Sequence, residues 1–347
     1  MTDPGKPISE AKEVSKSYSA RVGLGAGSGK QKSVQAVDRA SIRIEPGESV
    51  GLVGESGCGK SSLGRLLLRL ETPTDGQVWF DGEDITRFKG RKLRKKRRQM
   101  QMIFQDPASS LNPRFTVEAT LREAITAHKG KLHGRQLKAH IAALLNMVGL
   151  PITALNRQPH EFSGGEKQRI SIARALAVEP KFLIADEPVT SLDLASQGQI
   201  LNLLETVKRE LQVAFLFIAH DMDTVKRMCA KTAVMYLGRI VETAPSETLF
   251  RDPKHPYTRA LMLSQLSHNP DLRTDLYLLP GEPPSPLEPP TGCHFHPRCP
   301  YADIQCKTLV PEPRQIGASH IVRCHFNFDG NQKSEPQGIE NTLKISS

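Results

Sequence analysis

The stretch that decides the fold is Gly54-Glu55-Ser56-Gly57-Cys58-Gly59-Lys60-Ser61, which matches the pattern G-x-x-x-x-G-K-S. It follows the short apolar segment 49–53, which predicts a buried strand, and it opens segment 61–70, which has helical character. In this context the backbone N–H groups converge on phosphate oxygens, and the N-terminus of the helix favours negative charge. The stretch therefore predicts a phosphate-binding loop in an α/β fold.

Within this loop, Lys60 is expected to reach the β- and γ-phosphates of a nucleotide, and the Ser61 hydroxyl to bind Mg²⁺. The residues of the loop expected to bind nucleotide are Gly54, Ser56, Gly57, Cys58, Gly59, Lys60, Ser61 and Ser62. A partial second match at 25–30 has Gln31 where Ser or Thr is required, and no apolar strand precedes it. We interpret that glycine-rich segment as a flexible loop.

A second chemical feature is an apolar strand, 182–185, that ends in the two carboxylates Asp186 and Glu187. Asp186 is suited to hold Mg²⁺, directly or through water. Glu187 is the better candidate to polarise an attacking water molecule. Alone this pattern is weak evidence, but downstream of a phosphate-binding loop it predicts a nucleotide-hydrolysing site.

The rest of the chain alternates between predicted strands and helices. Strands are predicted within 14–48, at 100–104 and at 214–218, and helices within 117–148 and 197–211. Such alternation predicts a mainly parallel sheet that is covered by helices on both faces.

Composition narrows the class of protein. The 347 residues are 38% hydrophobic and 24% charged, typical of a soluble globular protein. The sequence contains no run of about 18 apolar residues, so it predicts no membrane span. Segment 1–13 lacks the apolar core of a secretory signal, and a cytoplasmic location is therefore expected. Much of the net charge of +10 lies within 89–98, which we interpret as a solvated surface element. Anionic lipid and nucleic acid are its alternative partners.

The C-terminal part contains a proline-rich segment, 280–290, and four clustered cysteines, Cys293, Cys299, Cys306 and Cys324. So much proline predicts an extended linker. In a reducing cytoplasm, clustered cysteines more often hold a metal than form disulfides. Four thiolates can bind a [4Fe–4S] cluster or Zn²⁺, and metal-free thiols are the third alternative. Nothing in the sequence places this cluster near the nucleotide.

The stretch Phe162-Ser163-Gly164-Gly165-Glu166-Lys167-Gln168-Arg169 resembles the signature motif of ABC ATPases. It lies between the phosphate-binding loop and the acidic strand, as in that family. The resemblance implies that Ser163, Gly164 and Gly165 contact a γ-phosphate held by the phosphate-binding loop of a second ATPase, so that two ATPases enclose two ATP molecules. Glu166 stands where the family usually has Gln, and its charge near a triphosphate is expected to reduce the activity of that site.

Four more positions follow in the family's order. Gln105 resembles the Q-loop glutamine that senses Mg²⁺ and contacts membrane subunits, and Asp193 lies in a segment resembling the D-loop at the dimer interface. His220 resembles the switch histidine that contacts the γ-phosphate, and Tyr18 the aromatic residue that stacks on adenine. The catalytic residues implied are Glu187, His220 and Gln105, and the Mg²⁺ ligands implied are Ser61, Gln105 and Asp186.

Within the family, the match narrows to the importers of peptides and nickel. The stretches that carry this resemblance are Phe104-Gln105-Asp106-Pro107, Ser110-Leu111-Asn112-Pro113-Arg114, Pro159-His160-Glu161-Phe162 and His255-Pro256-Tyr257-Thr258. Other short motifs in the sequence resemble those of the second, F-type ATPase of the dipeptide importers. The resemblance implies a RecA-like P-loop core with an antiparallel β portion. It also implies an ATPase domain at 1–262 with a helical subdomain at about 106–170, and an extension at 263–347 that carries [4Fe–4S] in some members.

The resemblance also implies partners: a second, homologous ATPase, two permease subunits and an extracytoplasmic binding protein, with no nucleic acid. The chain would sit peripherally on the cytoplasmic face of the inner membrane and power import of dipeptides or oligopeptides. Nickel complexes, glutathione and antimicrobial peptides are alternative cargoes. A soluble ABC ATPase acting on nucleic acid, and a metal- or redox-sensing module, are the alternative functions.

Overall fold

In a computed structural model of the chain, the described residues are 6–22, 30–129, 134–266 and 281–326. Their strands are β1 (Ser9–Val22), β2 (Lys30–Ile44), β3 (Ser49–Val53), β4 (Asp75–Phe80), β5 (Glu83–Asp84), β6 (Met100–Ile103), β7 (Phe182–Asp186), β8 (Ala214–Ile218), β9 (Lys231–Tyr236), β10 (Arg239–Pro245), β11 (Arg314–Gly317) and β12 (His320–Val322). Their helices are α1 (Lys60–Leu67), α2 (Gly90–Arg97), α3 (Pro107–Ser110), α4 (Val117–Lys129), α5 (Gly134–Met147), α6 (Gly164–Leu176), α7 (Leu194–Leu211), α8 (Met222–Met228), α9 (Ser246–Arg251), α10 (Pro256–Leu266) and α11 (Ile304–Thr308). The glycine-rich loop predicted before residue 30 lies outside these ranges.

The larger sheet has eight strands in the order β11-β12-β10-β9-β3-β8-β7-β6. The five strands from β9 to β6 are parallel, and β10, β12 and β11 add to its other edge in antiparallel fashion. Every residue of β3, β7 and β8 is buried, as expected for parallel strands covered on both faces. The predicted mainly parallel sheet is confirmed.

The smaller sheet has four antiparallel strands in the order β2-β1-β4-β5. Helix α1 packs between the two sheets, against β1, β2 and β4 on one side and β7 and β8 on the other. Its buried side chains Leu63, Leu66 and Leu67 join the apolar faces of both sheets in one core. This packing fixes the start of α1, and therefore the preceding loop, relative to the ends of β3 and β7.

Helices α3 to α6 occupy the region predicted as a helical insertion and form, with α7, the core on the opposite face of the larger sheet. The helix-like segment 117–148 contains the two helices α4 and α5. Helix α5 begins at Gly134, whose φ of 57° lies in the left-handed region, and glycine is the residue that tolerates this conformation best.

The basic run lies on α2, none of whose residues is buried. Lys92 and Lys96 both pair with Glu83, at 3.2 and 2.8 Å. Among the described residues, no helix combines the length and apolarity needed to cross a membrane.

The C-terminal extension docks on the larger sheet rather than standing apart from it. Strand β12 pairs with β10, where the buried carboxylate of Glu242 accepts a hydrogen bond from His320 Nε2 at 2.7 Å. The same carboxylate accepts from the backbone N–H groups of Lys254 and His255 at 2.7 and 2.9 Å. Residues on both sides of the predicted boundary at 262 and 263 therefore share one hydrogen-bond network.

Candidate nucleotide site

The phosphate-binding loop connects β3 to α1, as the sequence predicts. Gly54 has φ 153° and Gly59 has φ 107°, both conformations that L side chains rarely adopt. A Cβ atom added at Gly54 would lie 2.1 Å from the Met235 carbonyl oxygen, and one at Gly59 would lie 2.1 Å from that of Ala36. Both positions therefore require glycine, and the loop can approach its neighbours closely only with these residues.

The two polar side chains at the end of the loop are held in place. The Lys60 ammonium is buried and donates to the carbonyl oxygens of Gly54 and Glu55, at 2.9 and 3.0 Å. Ser61 Oγ donates to Asp186 Oδ1 at 2.9 Å. Burial raises the pKa of Asp186, against the lowering effect of the Ser61 hydrogen bond. A hydroxyl and a partly desolvated carboxylate side by side are oxygen ligands suited to Mg²⁺.

The three residues predicted as catalytic meet at one oxygen. Gln105 Nε2 donates to Glu187 Oε2 at 2.9 Å, and His220 Nδ1 lies 3.8 Å from the same oxygen. Glu187 has φ 45°, a left-handed conformation for a residue with a Cβ, and its N–H donates to the Ile218 carbonyl at 2.9 Å. Strained backbone of this kind concentrates at functional sites. The contacts of Gln105, Glu187 and His220 show that the ends of β6, β7 and β8 form one polar cluster beside the loop.

Tyr18, the candidate adenine-stacking residue, lies on β1 and is half-buried. Its hydroxyl is hydrogen-bonded to the carboxylate of Glu71, and Lys16 Nζ lies 5.0 Å from the centroid of its ring. Burial, and then the bond to Glu71, raise the pKa of Tyr18. Sequence reasoning missed Glu71, because nothing in its surroundings along the chain, in the bend between α1 and β4, marks it as a partner of a tyrosine on β1.

The signature residues begin α6. Ser163 Oγ accepts from the Glu166 N–H at 3.3 Å, and Glu166 Oε2 accepts from the Ser163 N–H at 2.8 Å, which together form a capping box. The hydrogen bond from the Ser163 backbone lowers the pKa of Glu166. The Glu166 carboxylate, which the sequence analysis expected to repel a nearby triphosphate, thus caps the start of this helix.

Ser163 and Gly164 are exposed, while Gly165 is buried under Ser196. Helix α6 packs against α3, α4, α5, α7 and β6, whereas α1 packs against the strands of both sheets. Within the described part of the chain, Ser163 forms hydrogen bonds with Glu166 and Lys167 of its own helix and none with the phosphate-binding loop. Among the described residues, the signature residues and the phosphate-binding loop are therefore held by different packing partners and are not joined by a hydrogen bond.

Two further side chains of the matched motifs fix the helices around the acidic strand. Asp193 caps α7 and accepts from the Ser196 N–H and hydroxyl at 2.9 and 2.7 Å, which lowers the pKa of Asp193. Gln168, a residue that sequence reasoning did not select, is fully buried and donates to the Pro188 carbonyl at 2.8 Å. It joins the signature helix to the turn after Glu187. Its only signal in the sequence is its place within the motif.

The four clustered cysteines, Cys293, Cys299, Cys306 and Cys324, line one small cavity. Burial raises the pKa of Cys299 to about 12 and that of Cys324 to about 11, and it raises the pKa of Cys293 as well. No disulfide joins them. In the ranges that the structure describes, no group of three or more His, Cys, Asp or Glu side chains is arranged to hold a metal ion.

Comparison with known proteins matches the same regions. The ABC transporter family matches residues 37–190, and the family of the oligopeptide/dipeptide transporter C-terminal region matches residues 241–306. A putative peptide import ATP-binding protein of Brucella ovis is 47% identical over 292 residues, which cover 84% of this chain and 92% of that protein. The oligopeptide transport ATP-binding protein AppF of Bacillus subtilis is 43% identical over 322 residues, which cover 92% and 97%.

Among solved structures, the dimeric ATP-binding cassette MJ0796 bound to ADP and Pi aligns with a TM-score of 0.60 and 26% identity. The alignment covers 69% of this chain and 99% of that one, which confirms the predicted RecA-like P-loop fold. The matched families, the relatives and the fold of this chain all agree. The chain belongs to the ABC transporter family, among the ATP-binding proteins that carry the C-terminal region of oligopeptide and dipeptide transporters.

Proposed function

We propose that this chain is the ATP-hydrolysing subunit that powers import of peptides across the cytoplasmic membrane by an ABC transporter. The observation that carries the proposal is the convergence of Gln105 and His220 on one oxygen of Glu187, next to the Ser61–Asp186 pair. This arrangement stands in a chain whose relatives are named as peptide or oligopeptide import ATP-binding proteins.

The residues act in a simple division of roles. Lys60 and the backbone N–H groups of the loop hold the β- and γ-phosphates. Ser61, Asp186 and Gln105 would hold Mg²⁺, which neutralises charge on the phosphates when bound. Glu187 accepts a proton from the attacking water, and the hydrogen bond from Gln105 Nε2 to its Oε2 holds the carboxylate in position. His220, at the end of β8, would donate to the γ-phosphate.

A second ATPase completes the site in this proposal. The signature residues Ser163 and Gly164 are exposed at the start of α6. The Ser163 N–H is already bonded to Glu166, so the Gly164 N–H is the backbone donor that can be aimed at an anion on another chain. We expect the partner to be a homologous but different ATPase, with two permease subunits and an extracytoplasmic binding protein in the same complex. The chain would then lie peripherally on the cytoplasmic face of the inner membrane, with a nucleotide-binding domain at 1–262 and an extension at 263–347.

Replacing Glu166 with Gln, the residue that the family usually has at this position of the signature motif, tests how the glutamate affects ATP turnover. Gln can keep the capping box, whereas the negative charge near the phosphates of the partner site disappears. Two like charges a few ångströms apart in water repel by about 1 kcal/mol. We therefore expect ATP turnover of the purified transporter to rise about two- to fivefold with unchanged thermal stability. An unchanged or lower rate would show that this charge does not limit the site.

The finer cofactor proposal is a metal centre at the four cysteines, with [4Fe–4S] favoured over Zn²⁺. Four cysteine thiols line one cavity, those of Cys306 and Cys324 buried and those of Cys293 and Cys299 half-buried, and four thiolates are the ligand number that such a centre takes. Burial favours their neutral forms, and a bound cation would reverse this by stabilising thiolates. Purified anaerobically, the full chain is expected to contain about four irons per molecule, and Cys299→Ser should lower that content. About one zinc per chain would favour the alternative, and neither metal would contradict a metal centre.

Purification from the native host tests the transporter proposal. The tagged chain would be extracted from membranes with mild detergent, and the proteins that purify with it would be identified. We expect two permease subunits and a second ATPase. Recovery of the chain alone, or with ribosomes or DNA, would contradict the proposal and make the basic helix α2 the leading clue.

A further inference from the structure

An ion pair joins the C-terminal extension to the phosphate-binding loop. Arg298, with an exposed fraction of 6%, donates from Nη1 to Glu55 Oε2 at 2.9 Å and from Nη2 to Glu55 Oε1 at 3.1 Å. Glu55 is the second residue of the loop, and 243 residues separate the two partners along the chain. Two parallel bonds between a guanidinium and a carboxylate fix both the distance and the orientation of the partners.

The backbone of Glu55 also forms hydrogen bonds that hold the residue in place. Its N–H donates to the Tyr257 hydroxyl at 2.9 Å. Its carbonyl oxygen accepts from Lys60 Nζ at 3.0 Å and from the Cys58 N–H at 3.3 Å. Any displacement of Glu55 therefore moves a direct partner of the lysine that is aimed at the phosphates.

The position of Arg298 is in turn fixed by the extension. Its N–H donates to the Phe295 carbonyl at 3.0 Å, and Phe295 is buried with its ring centroid 5.2 Å from that of Tyr236 and 5.4 Å from that of Tyr257. Cys293 and Cys299, which line the cysteine cavity, flank this turn on both sides. A rigid aromatic cluster and the cysteine cavity thus aim the guanidinium at the loop.

A second arginine of the extension provides the comparison. Arg323 is almost as buried and pairs with Glu13 at 3.1 Å, but Glu13 lies on β1 of the smaller sheet, outside the phosphate-binding loop. If these pairs only attached the extension, the loss of either would have similar consequences. The Arg298 pair differs because its partner belongs to the loop itself.

We infer that Arg298 is a positioning residue for the phosphate-binding loop, through which the C-terminal extension sets how tightly the chain holds nucleotide. This inference rests on the proposed function, since it concerns the same nucleotide site. It assigns the extension a role in regulating nucleotide affinity: whatever alters the turn between Cys293 and Cys299 alters the orientation of Glu55, and with it the carbonyl that holds Lys60.

The test is calorimetric binding of MgATP and MgADP to the purified full chain, with thermal melts with and without nucleotide. Arg298→Ala is expected to raise the dissociation constant about tenfold, which corresponds to about 1.4 kcal/mol, and to reduce the thermal shift caused by nucleotide. Arg298→Lys should recover part of the affinity, because a lysine keeps the charge but not the paired geometry. The matched control, Arg323→Ala, should bind within about twofold of the unmodified chain, as expected of a charge outside the site.

A cycle with Glu55→Ala gives the coupling between the two side chains. The double variant should bind about as weakly as Arg298→Ala alone. Equal affinity of Arg298→Ala and the unmodified chain would overturn the inference, and so would an equal loss in Arg323→Ala, since that would indicate general loosening. Failure of the unmodified chain to bind MgATP would instead overturn the proposed function and the inference together.

Discussion

Replacing Glu187 with Gln is expected to lower ATP turnover about 100- to 10,000-fold, the range that removal of a general base typically costs. The amide has the same shape as the carboxylate and can still contact Gln105, whose Nε2 lies 2.9 Å from Glu187 Oε2. It cannot accept a proton from water. Because neither Lys60 nor Ser61 depends on Glu187 for its hydrogen bonds, we expect MgATP to bind within about twofold of the normal affinity.

Phosphate release by the purified transporter measures the rate, and calorimetry on the full chain measures binding. Glu205→Gln is a matched control, because Glu205 pairs with Arg227 on the surface of α7, outside the polar cluster at Glu187. It should leave turnover unchanged. Turnover near normal in Glu187→Gln would remove Glu187 from the role of general base.

Replacing Lys60 with Ala is expected to weaken MgATP binding about 100-fold, and turnover at low ATP should fall with it. Charge-assisted hydrogen bonds contribute about 1.5–3 kcal/mol each, and about 2.7 kcal/mol corresponds to a 100-fold change. The ammonium also ties the carbonyl oxygens of Gly54 and Glu55 together, so its loss loosens the loop as well as removing a phosphate contact.

Lys181→Ala serves as the control, since Lys181 pairs with Asp81 at 2.7 Å on the surface. Exposed pairs of this kind contribute little, and the variant should bind MgATP normally. Unaltered affinity in Lys60→Ala would place the phosphates elsewhere. A drop in affinity shared by both lysine variants would mean that the loss is not specific to the loop.

The parts of the fold that depend on runs of apolar residues along the chain could be predicted from the sequence. Strands 49–53 and 214–218 have the predicted bounds, because five buried residues in a row leave a continuous apolar run. The members of the cluster at Glu187 were implied by the resemblance to ABC ATPases, in which Gln105 and His220 match motif positions that follow such strands. Parallel strands place these positions at one edge of the sheet, and there the structure brings the three side chains together.

The contacts that could not be predicted join residues far apart in the sequence. The Arg298–Glu55 pair leaves no periodic or local signal, and nothing in the sequence placed the cysteine segment near the phosphate-binding loop. The attachment of β12 to β10 through Glu242 and His320 is of the same kind. A buried ion pair is recognised only when both partners are seen in space, because each residue alone resembles an ordinary surface charge.

The claim that this ATPase powers peptide import is tested most directly by uptake. Cells of the native host that lack this chain would receive either the unmodified chain or Glu187→Gln at equal expression, and accumulation of a mixture of radiolabelled di- to pentapeptides would be measured. Uptake should be lost without the chain, restored by the unmodified chain and not restored by Glu187→Gln. Equal accumulation in all of these cells would contradict the claim.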